Sequence, residues 1–239
     1  MNSYFITATG TDVGKTIVTA GILRYLRNHE INAVSMKPIQ TGAELKKGSL
    51  TSPDLVVHLD AAEFIPTDHQ IRIMSPYLYE PACSPHLAGR MSNEYPELDK
   101  IQRCLADLDG SSDLVLVEGA GGILAPINET ETMLDLMKAL DLPVILVAHR
   151  GLGTINHTLL SIETLRNAGL EIAGVVLNET ENVAPDFIKE ENPAAIEQFG
   201  KTTILGNLDY LPTLAENPEK AWTDFERCMP GLTRLFGVE

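Results

Sequence analysis

Hydrophobic residues in this chain fall into short unbroken runs separated by longer amphipathic stretches. The runs at 4–7, 33–37, 114–118, 144–148, 172–177 and 203–205 predict strands. Runs such as Leu114-Val115-Leu116-Val117 are apolar at every position rather than at alternate ones, as suits parallel strands covered on both faces. The stretches at 15–28, 54–59, 97–108, 133–140, 154–168 and 193–199, with another after Asn217, predict helices. Strand and helix alternate, which predicts an α/β fold with a doubly wound, mostly parallel sheet and helices on both faces. Segments 41–52 and 72–84 lack such a pattern and are expected to be loops. No linker-like tract or internal repeat interrupts the alternation, so residues 1–239 are expected to form a single domain.

In an open parallel sheet, ligands bind beyond the carboxyl ends of the strands. The residues that follow each run therefore carry the candidate chemistry. After the first comes Ala8-Thr9-Gly10-Thr11-Asp12-Val13-Gly14-Lys15-Thr16, and a helix starts with Ile17 close behind. Strand, Gly-containing loop, Gly-Lys-Thr and helix together form a phosphate-binding arrangement of the P-loop NTPase type. Its backbone N–H groups turn inward, and the helix N-terminus adds partial positive charge. Lys15 would reach the terminal phosphates, and Thr16 would offer its hydroxyl to Mg²⁺. The strict pattern has a glycine five residues before Gly14; Thr9 stands there, with Gly10 one place later.

The second run ends in Lys37-Pro38-Ile39-Gln40-Thr41-Gly42. The proline breaks the strand and leaves Lys37 at the carboxyl edge. A second ammonium there can neutralise a transferred phosphoryl group or a carboxylated substrate. The third run ends in Glu118-Gly119-Ala120-Gly121-Gly122. An apolar strand ending in a carboxylate is a Walker B arrangement, which holds Mg²⁺ directly or through water. Asp54 opens a helical stretch after Thr51-Ser52-Pro53 and reads either as a cap or as a second Mg²⁺ ligand. The fourth run leads into His149-Arg150-Gly151-Leu152-Gly153-Thr154-Ile155-Asn156-His157, a second glycine loop entering a helix and suited to a carboxylate. The fifth ends in Asn178, whose amide can pair with an adenine edge.

Charge narrows the classes of partner. Eighteen basic against 33 acidic residues give a net charge of −15, which opposes binding to nucleic acid or to an anionic membrane. A nucleotide site remains compatible, because a few local N–H groups and lysines outweigh the global field there. Cys83, Cys104 and Cys228 form no CxxC pair, and three is odd for a disulfide framework. No apolar run approaches the roughly 18 residues of a membrane helix, and no secretory leader is evident. A cytoplasmic setting is expected.

Taken in order, these segments resemble the ATP-dependent dethiobiotin synthetase family. The resemblance is carried by Gly10-Thr11-Asp12-Val13-Gly14-Lys15-Thr16, Lys37-Pro38-Ile39-Gln40-Thr41-Gly42, Ser52-Pro53-Asp54 and Glu80-Pro81-Ala82-Cys83-Ser84-Pro85-His86. It continues through Val117-Glu118-Gly119-Ala120-Gly121-Gly122, Leu142-Pro143-Val144-Ile145-Leu146-Val147, Leu152-Gly153-Thr154-Ile155-Asn156-His157, Asn178 and Leu214-Ala215-Glu216-Asn217-Pro218.

The resemblance implies an enzyme that joins 7,8-diaminononanoate and CO₂ (or bicarbonate) at the expense of ATP. It proceeds through a carbamate and a carbamic-phosphoric anhydride. It also implies roles. Lys15 and Lys37 would be catalytic. Thr11, Asp12, Val13, Gly14, Lys15, Thr16 and Ile17 would hold the nucleotide with Asp54, Glu118, Gly119, Ala120 and Gly121. Asn178, Glu179, Pro212, Thr213 and Leu214 would border adenine. Thr16, Asp54 and Glu118 would hold Mg²⁺. Thr41 would touch the substrate, and Gly151, Leu152, Gly153 and Asn156 would bind its carboxylate across a homodimer interface.

The chain departs from the family at Ala8, where a glycine is frequent, and in a longer segment 206–211 before Pro212. A ParA/MinD-type ATPase switch is the nearest alternative. That type carries an additional lysine early in the loop, and positions 9–13 here hold none. An amidating cobyrinate-synthetase type would need a glutaminase domain for which 239 residues leave no room.

Overall fold

A computed structural model describes residues 3–46, 48–183, 187–212 and 214–238. The chain runs β1 (Tyr4–Ala8), α1 (Lys15–Asn28), β2 (Ala33–Met36), β3 (Ile39–Thr41), β4 (Glu44–Lys46), β5 (Ser49–Thr51), α2 (Pro53–Ala61), α3 (Asp68–Met74) and β6 (Tyr77–Tyr79). It continues through α4 (Pro85–Ser92), α5 (Leu98–Asp109), β7 (Leu114–Glu118), α6 (Met133–Leu140), β8 (Val144–His149), α7 (Thr154–Asn167) and β9 (Ile172–Asn178). It closes with α8 (Phe187–Gly200), β10 (Ile204–Leu208), α9 (Pro218–Arg227) and α10 (Gly231–Phe236).

Six strands form one sheet in the order β10-β9-β8-β1-β7-β2, and every neighbouring pair is parallel. Successive side chains of a strand point to opposite faces, and both faces here are apolar. Phe5, Met36, Val117 and Leu146 pack with Ile101 of α5, Leu136 and Met137 of α6, and Ile162 of α7. Ile6, Leu116, Ile145 and Val147 pack on the other side with Val18, Ile22 and Leu26 of α1 and Phe225 of α9. This two-sided burial is why the strand runs are apolar at every position.

The chain leaves β1 toward β2 on one side, returns to insert β7 between them, and then crosses to β8 on the other side. Connections that diverge from a central strand open a crevice at its carboxyl end. The loops after β1, β2, β7, β8 and β9 converge on that edge.

The two segments expected to be loops hold structure: β4 and β5 lie in the first, β6 and the end of α3 in the second, and β3 and α4 border them. β3 and β6 pair in parallel, Ile39 to Tyr77 and Thr41 to Tyr79. β4 and β5 form an antiparallel hairpin, Glu44 opposite Thr51. α3 and α4 flank β6. These pieces are too short for periodicity to register. Helix α8 begins before the expected start at 193 and carries Pro193 within it. Strand β10 runs past 205 through Gly206 and Asn207, residues poorly suited to strands, with a register shift at that point. On the open side of this edge strand the Asn207 N–H donates to the Cys228 carbonyl.

Candidate active site

The phosphate loop is set by its two ends. Ala8 is a buried β1 residue paired with Val147, and the Thr9 N–H donates to the Val147 carbonyl at 3.0 Å. The methyl group at position 8 therefore meets ordinary strand backbone. Left-handed conformations fall later, on Asp12 (φ 57°) and Gly14 (φ 93°). Gly14 also lies against Asn178 at the end of β9: a Cβ there would sit 2.1 Å from Asn178 Nδ2. That amide donates to the Val13 carbonyl at 2.8 Å. Asn178 thus braces the loop from across the sheet. The Lys15 ammonium folds back over the loop and donates to the Gly10 carbonyl at 3.2 Å.

Beside the loop lies a charged cluster. Glu118 ends β7 and is fully buried. Lys37 follows β2. Its backbone is pinned by its N–H to the Met74 carbonyl and by Ser75 Oγ donating to its own carbonyl. Lys37 Nζ lies 2.6 Å from Glu118 Oε1, 2.7 Å from Asp54 Oδ2 and 3.1 Å from the Gly119 carbonyl. Thr16 Oγ1 donates to the same Glu118 oxygen at 3.2 Å. Asp54 stands in the first turn of α2, which is capped by Ser52 Oγ accepting from the Leu55 N–H. Ser52 in turn donates to Gln40 Oε1 at 2.5 Å, so β3 fixes where that helix begins.

The protonation states follow from this geometry. Burial alone would push the Glu118 carboxyl up. The Lys37 ammonium and the His58 imidazole beside it override burial and hold it far below the carboxylate range. Burial would lower the Lys37 ammonium, but Glu118 and Asp54 outweigh it and raise it. Lys15 lacks such a close pair. Burial and the neighbouring Lys37 charge lower it to about 8, against partial compensation from Glu118, Asp54 and Asp12.

A cavity of about 410 Å³ brings together Thr11, Asp12, Gly14, Lys15, Thr16, Lys37, Thr41, Asp54, Glu118, Ala120 and Gly121. Gly119 lies behind it, packed on Phe5 and Met133. A second cavity of about 410 Å³ meets the first at Gly14 and is lined by Ile17, Asn178, Glu179, Pro212 and Leu214, with Tyr210 and Leu211. Ion pairs between Lys189 and Glu179 and between Arg150 and Asp209 tie α8 and the residue that follows β8 to its rim. Thr213 lies outside the described residues.

The structure does not bring the 151–156 loop into either cavity. Gly153 caps α7 with φ 92°, and Leu152 is 89% exposed. A third cavity, of about 440 Å³, runs from Thr9 and the 122–125 turn to His157 and Leu160 on α7.

His58, on α2, follows no strand end, and Gln40 lies in the segment after β2 without a role evident from its position. His58 follows Asp54 by four positions, the spacing that places two side chains on one helix face. That spacing is the signal that would have found it.

The donor set fits a hard divalent cation. The Thr16 hydroxyl and the Asp54 and Glu118 carboxylates are oxygen donors. Lys37 Nζ shows that a positive charge is accommodated between the two acids. Among the described residues no three His, Cys, Asp or Glu side chains could hold a metal alone. Mg²⁺ suits such a site, because it is bound through one or two carboxylates plus substrate phosphates and water.

A family model described as an AAA domain matches residues 2–218. A protein of Anoxybacillus flavithermus named ATP-dependent dethiobiotin synthetase is 37% identical over 212 residues, covering 88% of this chain and 93% of that protein. Proteins of the same name from Halalkalibacterium halodurans (38% identical; 90% of this chain, 87% of that one) and Thermodesulfovibrio yellowstonii (37%; 88% and 90%) are similar along comparable lengths. Among solved structures, the MinC:MinD cell division complex of Aquifex aeolicus aligns with a TM-score of 0.61 at 15% identity, covering 99% of this chain and 96% of that one. MinD of Pyrococcus horikoshii, solved with Mg-ADP, aligns with a TM-score of 0.55 at 17% identity, covering 98% and 93%. Those likenesses show the P-loop NTPase fold. The level and extent of sequence identity show the family: this chain belongs to the ATP-dependent dethiobiotin synthetases.

Proposed function

We propose that the protein closes the ureido ring of dethiobiotin from 7,8-diaminononanoate, CO₂ and ATP. The observation that carries this reading is Lys37, held between Asp54 and Glu118 in the same cavity as the Gly14-Lys15-Thr16 loop. A phosphate loop alone fits any ATPase. A second buried ammonium beside it fits a reaction in which an anionic carbamate must meet the γ-phosphate.

One amine of the substrate attacks CO₂ and, losing a proton, becomes a carbamate. A carbamate oxygen attacks the γ-phosphorus and ADP leaves. The second amine attacks the carbonyl carbon and loses a proton, the bond from that carbon to the phosphate oxygen breaks, and the ring closes with release of phosphate. The protein positions and neutralises rather than reacting covalently. Lys15 and Lys37 balance charge on the phosphoryl group and the carbamate. The backbone of 11–17 cradles the phosphates. The second cavity, with Asn178, Glu179, Pro212 and Leu214, takes the adenine. Thr41 contacts the diamine. Thr16, Asp54 and Glu118 would hold Mg²⁺, which supplies positive charge to the phosphate oxygens.

The 151–156 loop lies on the surface, so its proposed contact with the substrate carboxylate requires a second copy of the chain. Exposed Leu152, Leu124 and Leu160 near this loop support a homodimer. The residues 1–239 act as one domain in this reading. A cytoplasmic setting fits the biosynthetic role, and among the described residues no helix is long and apolar enough to cross a membrane.

The test is isotopic. With ¹³C-bicarbonate, the label is expected in the ring carbonyl of dethiobiotin. With freshly added C¹⁸O₂, one ¹⁸O is expected in the released phosphate. Carbon label in the product with no ¹⁸O in phosphate would reject the anhydride. No labelled product would reject the reaction.

A further inference from the structure

Glu118 is also held by a residue that does not line the cavity. Its Oε1 receives Lys37 Nζ and Thr16 Oγ1. Its Oε2 has one hydrogen-bond partner among the described residues, Nε2 of His58 at 2.8 Å. A carboxylate cannot donate, so Nε2 carries the hydrogen of that bond. The other ring nitrogen, Nδ1, lies 3.1 Å from Ser35 Oγ on β2. His58, Ser35 and Glu118 are all fully buried.

An imidazole in an apolar core costs desolvation that only its hydrogen bonds offset. At this core position of α2 a leucine would pack without that cost. His58 and Asp54, one turn apart on the same face, reach different partners: Asp54 meets Lys37, and His58 meets Glu118. A single turn of α2 therefore fixes both the cation and the carboxylate that share the site.

We propose that His58 is a positioning residue. It holds Oε2 of Glu118 so that the carboxylate presents only Oε1 to the cation-binding side of the cavity. This rests on the reading of Glu118 as a ligand of the magnesium–nucleotide complex. Hydrogen bonds behind ligating carboxylates fix their orientation, and losing one costs roughly 10–100-fold in metal affinity.

The experiment measures ADP binding by calorimetry on the full chain, first in EDTA and then with Mg²⁺ titrated. His58→Leu keeps the volume and removes the donor. His58→Gln places an amide nitrogen near the position of Nε2. His58→Asn is too short to do so. For His58→Leu, the Mg²⁺ concentration that gives half the gain in ADP affinity should rise roughly tenfold or more, while ADP binding in EDTA stays unchanged. His58→Gln should restore the wild-type requirement, and His58→Asn should behave as His58→Leu does.

An unchanged Mg²⁺ requirement in His58→Leu overturns the proposal. So does an equal loss of ADP binding in EDTA, which would mark a packing role. Should His58→Leu fail to fold, the Gln and Asn variants decide between them, and equal requirements in those two overturn the proposal. A wild-type protein whose ADP binding ignores Mg²⁺ would instead reject the underlying reading of the site.

Discussion

The Lys37 ammonium lies 2.6 Å from Glu118 Oε1, the oxygen that Thr16 also contacts. The lysine ammonium is held between Asp54 and Glu118, the two carboxylates proposed to bind Mg²⁺. Removing one member of a buried pair leaves the other charge uncompensated, at a cost of about 3–5 kcal/mol. Lys37→Met should therefore lower Tm by roughly 10 °C in EDTA, taking about 2–4 °C per kcal/mol for a chain of this size. Added Mg²⁺ should recover more of that loss in the variant than it adds to wild type, because the acids regain a cation. Thermal scans with and without Mg²⁺ check this. Product formation should be lost under both conditions.

Gly14 and Asn178 are mutually constrained. Gly14 has φ 93°, and its missing Cβ leaves the space that the Asn178 amide fills. Gly14→Ala should strain the backbone by about 1–3 kcal/mol and push Asn178 off the Val13 carbonyl. Nucleotide affinity is expected to fall more than roughly tenfold, the equivalent of about 1.4 kcal/mol. Asn178→Ala removes the clash but also the brace. The double variant should lose less than the sum of the two single losses, since residues in contact are not additive. Additive losses would show that the brace plays no part.

Lys15 has its ammonium lowered to about 8 by burial and by Lys37. Its folded pKa lies below the unfolded value of 10.5, so between those pH values the unfolded chain binds more protons. The cost to folding is complete below about pH 8 and is relieved as pH rises through that window. Phosphates favour the charged form, so nucleotide binding should take up a proton above pH 8. ADP affinity is expected to be flat near pH 7 and to weaken by up to about tenfold per unit above pH 8. Calorimetry at pH 8.5 in buffers of different ionisation enthalpy reads the proton directly. Lys15→Arg should flatten the profile, because guanidinium stays charged.

Leu160 on α7 is 60% exposed beside the cavity that reaches Thr9. A charge there would be desolvated in a dimer and harmless in a monomer. Leu160→Asp is expected to shift the protein to monomer in sedimentation analysis and to raise KM for the diamine much more than for ATP. A dimer unaffected by the change would place the interface elsewhere.

The sheet was legible because its two-sided core leaves an unmistakable trace: Leu114-Val115-Leu116-Val117 can be little else than a buried strand. Helix α1 was legible to both ends, as the Gly-Lys-Thr start and the amphipathic period agree. The layer that carries Lys37 was less so. β3, β6 and the β4–β5 hairpin are three-residue strands held by tertiary pairing, which local pattern does not encode. The strand-end rule pointed to Lys37, Glu118 and Asn178, which the structure places on the two adjoining cavities, because their positions follow from topology. It passed over His58, which sits on α2 and reaches Glu118 at the end of β7 only through the tertiary fold. The 151–156 loop shows the reverse case: its glycine pattern reads as an anion site in the sequence, yet the structure places the loop outside the cavity that holds Lys37.

The most direct single measurement is ADP release with Mg-ATP, bicarbonate and 7,8-diaminononanoate, omitting each in turn. Release is expected only when all are present, and it should vanish in Lys37→Ala. Steady ADP release without the diamine would contradict ring closure and mark the protein as an ATPase of another kind.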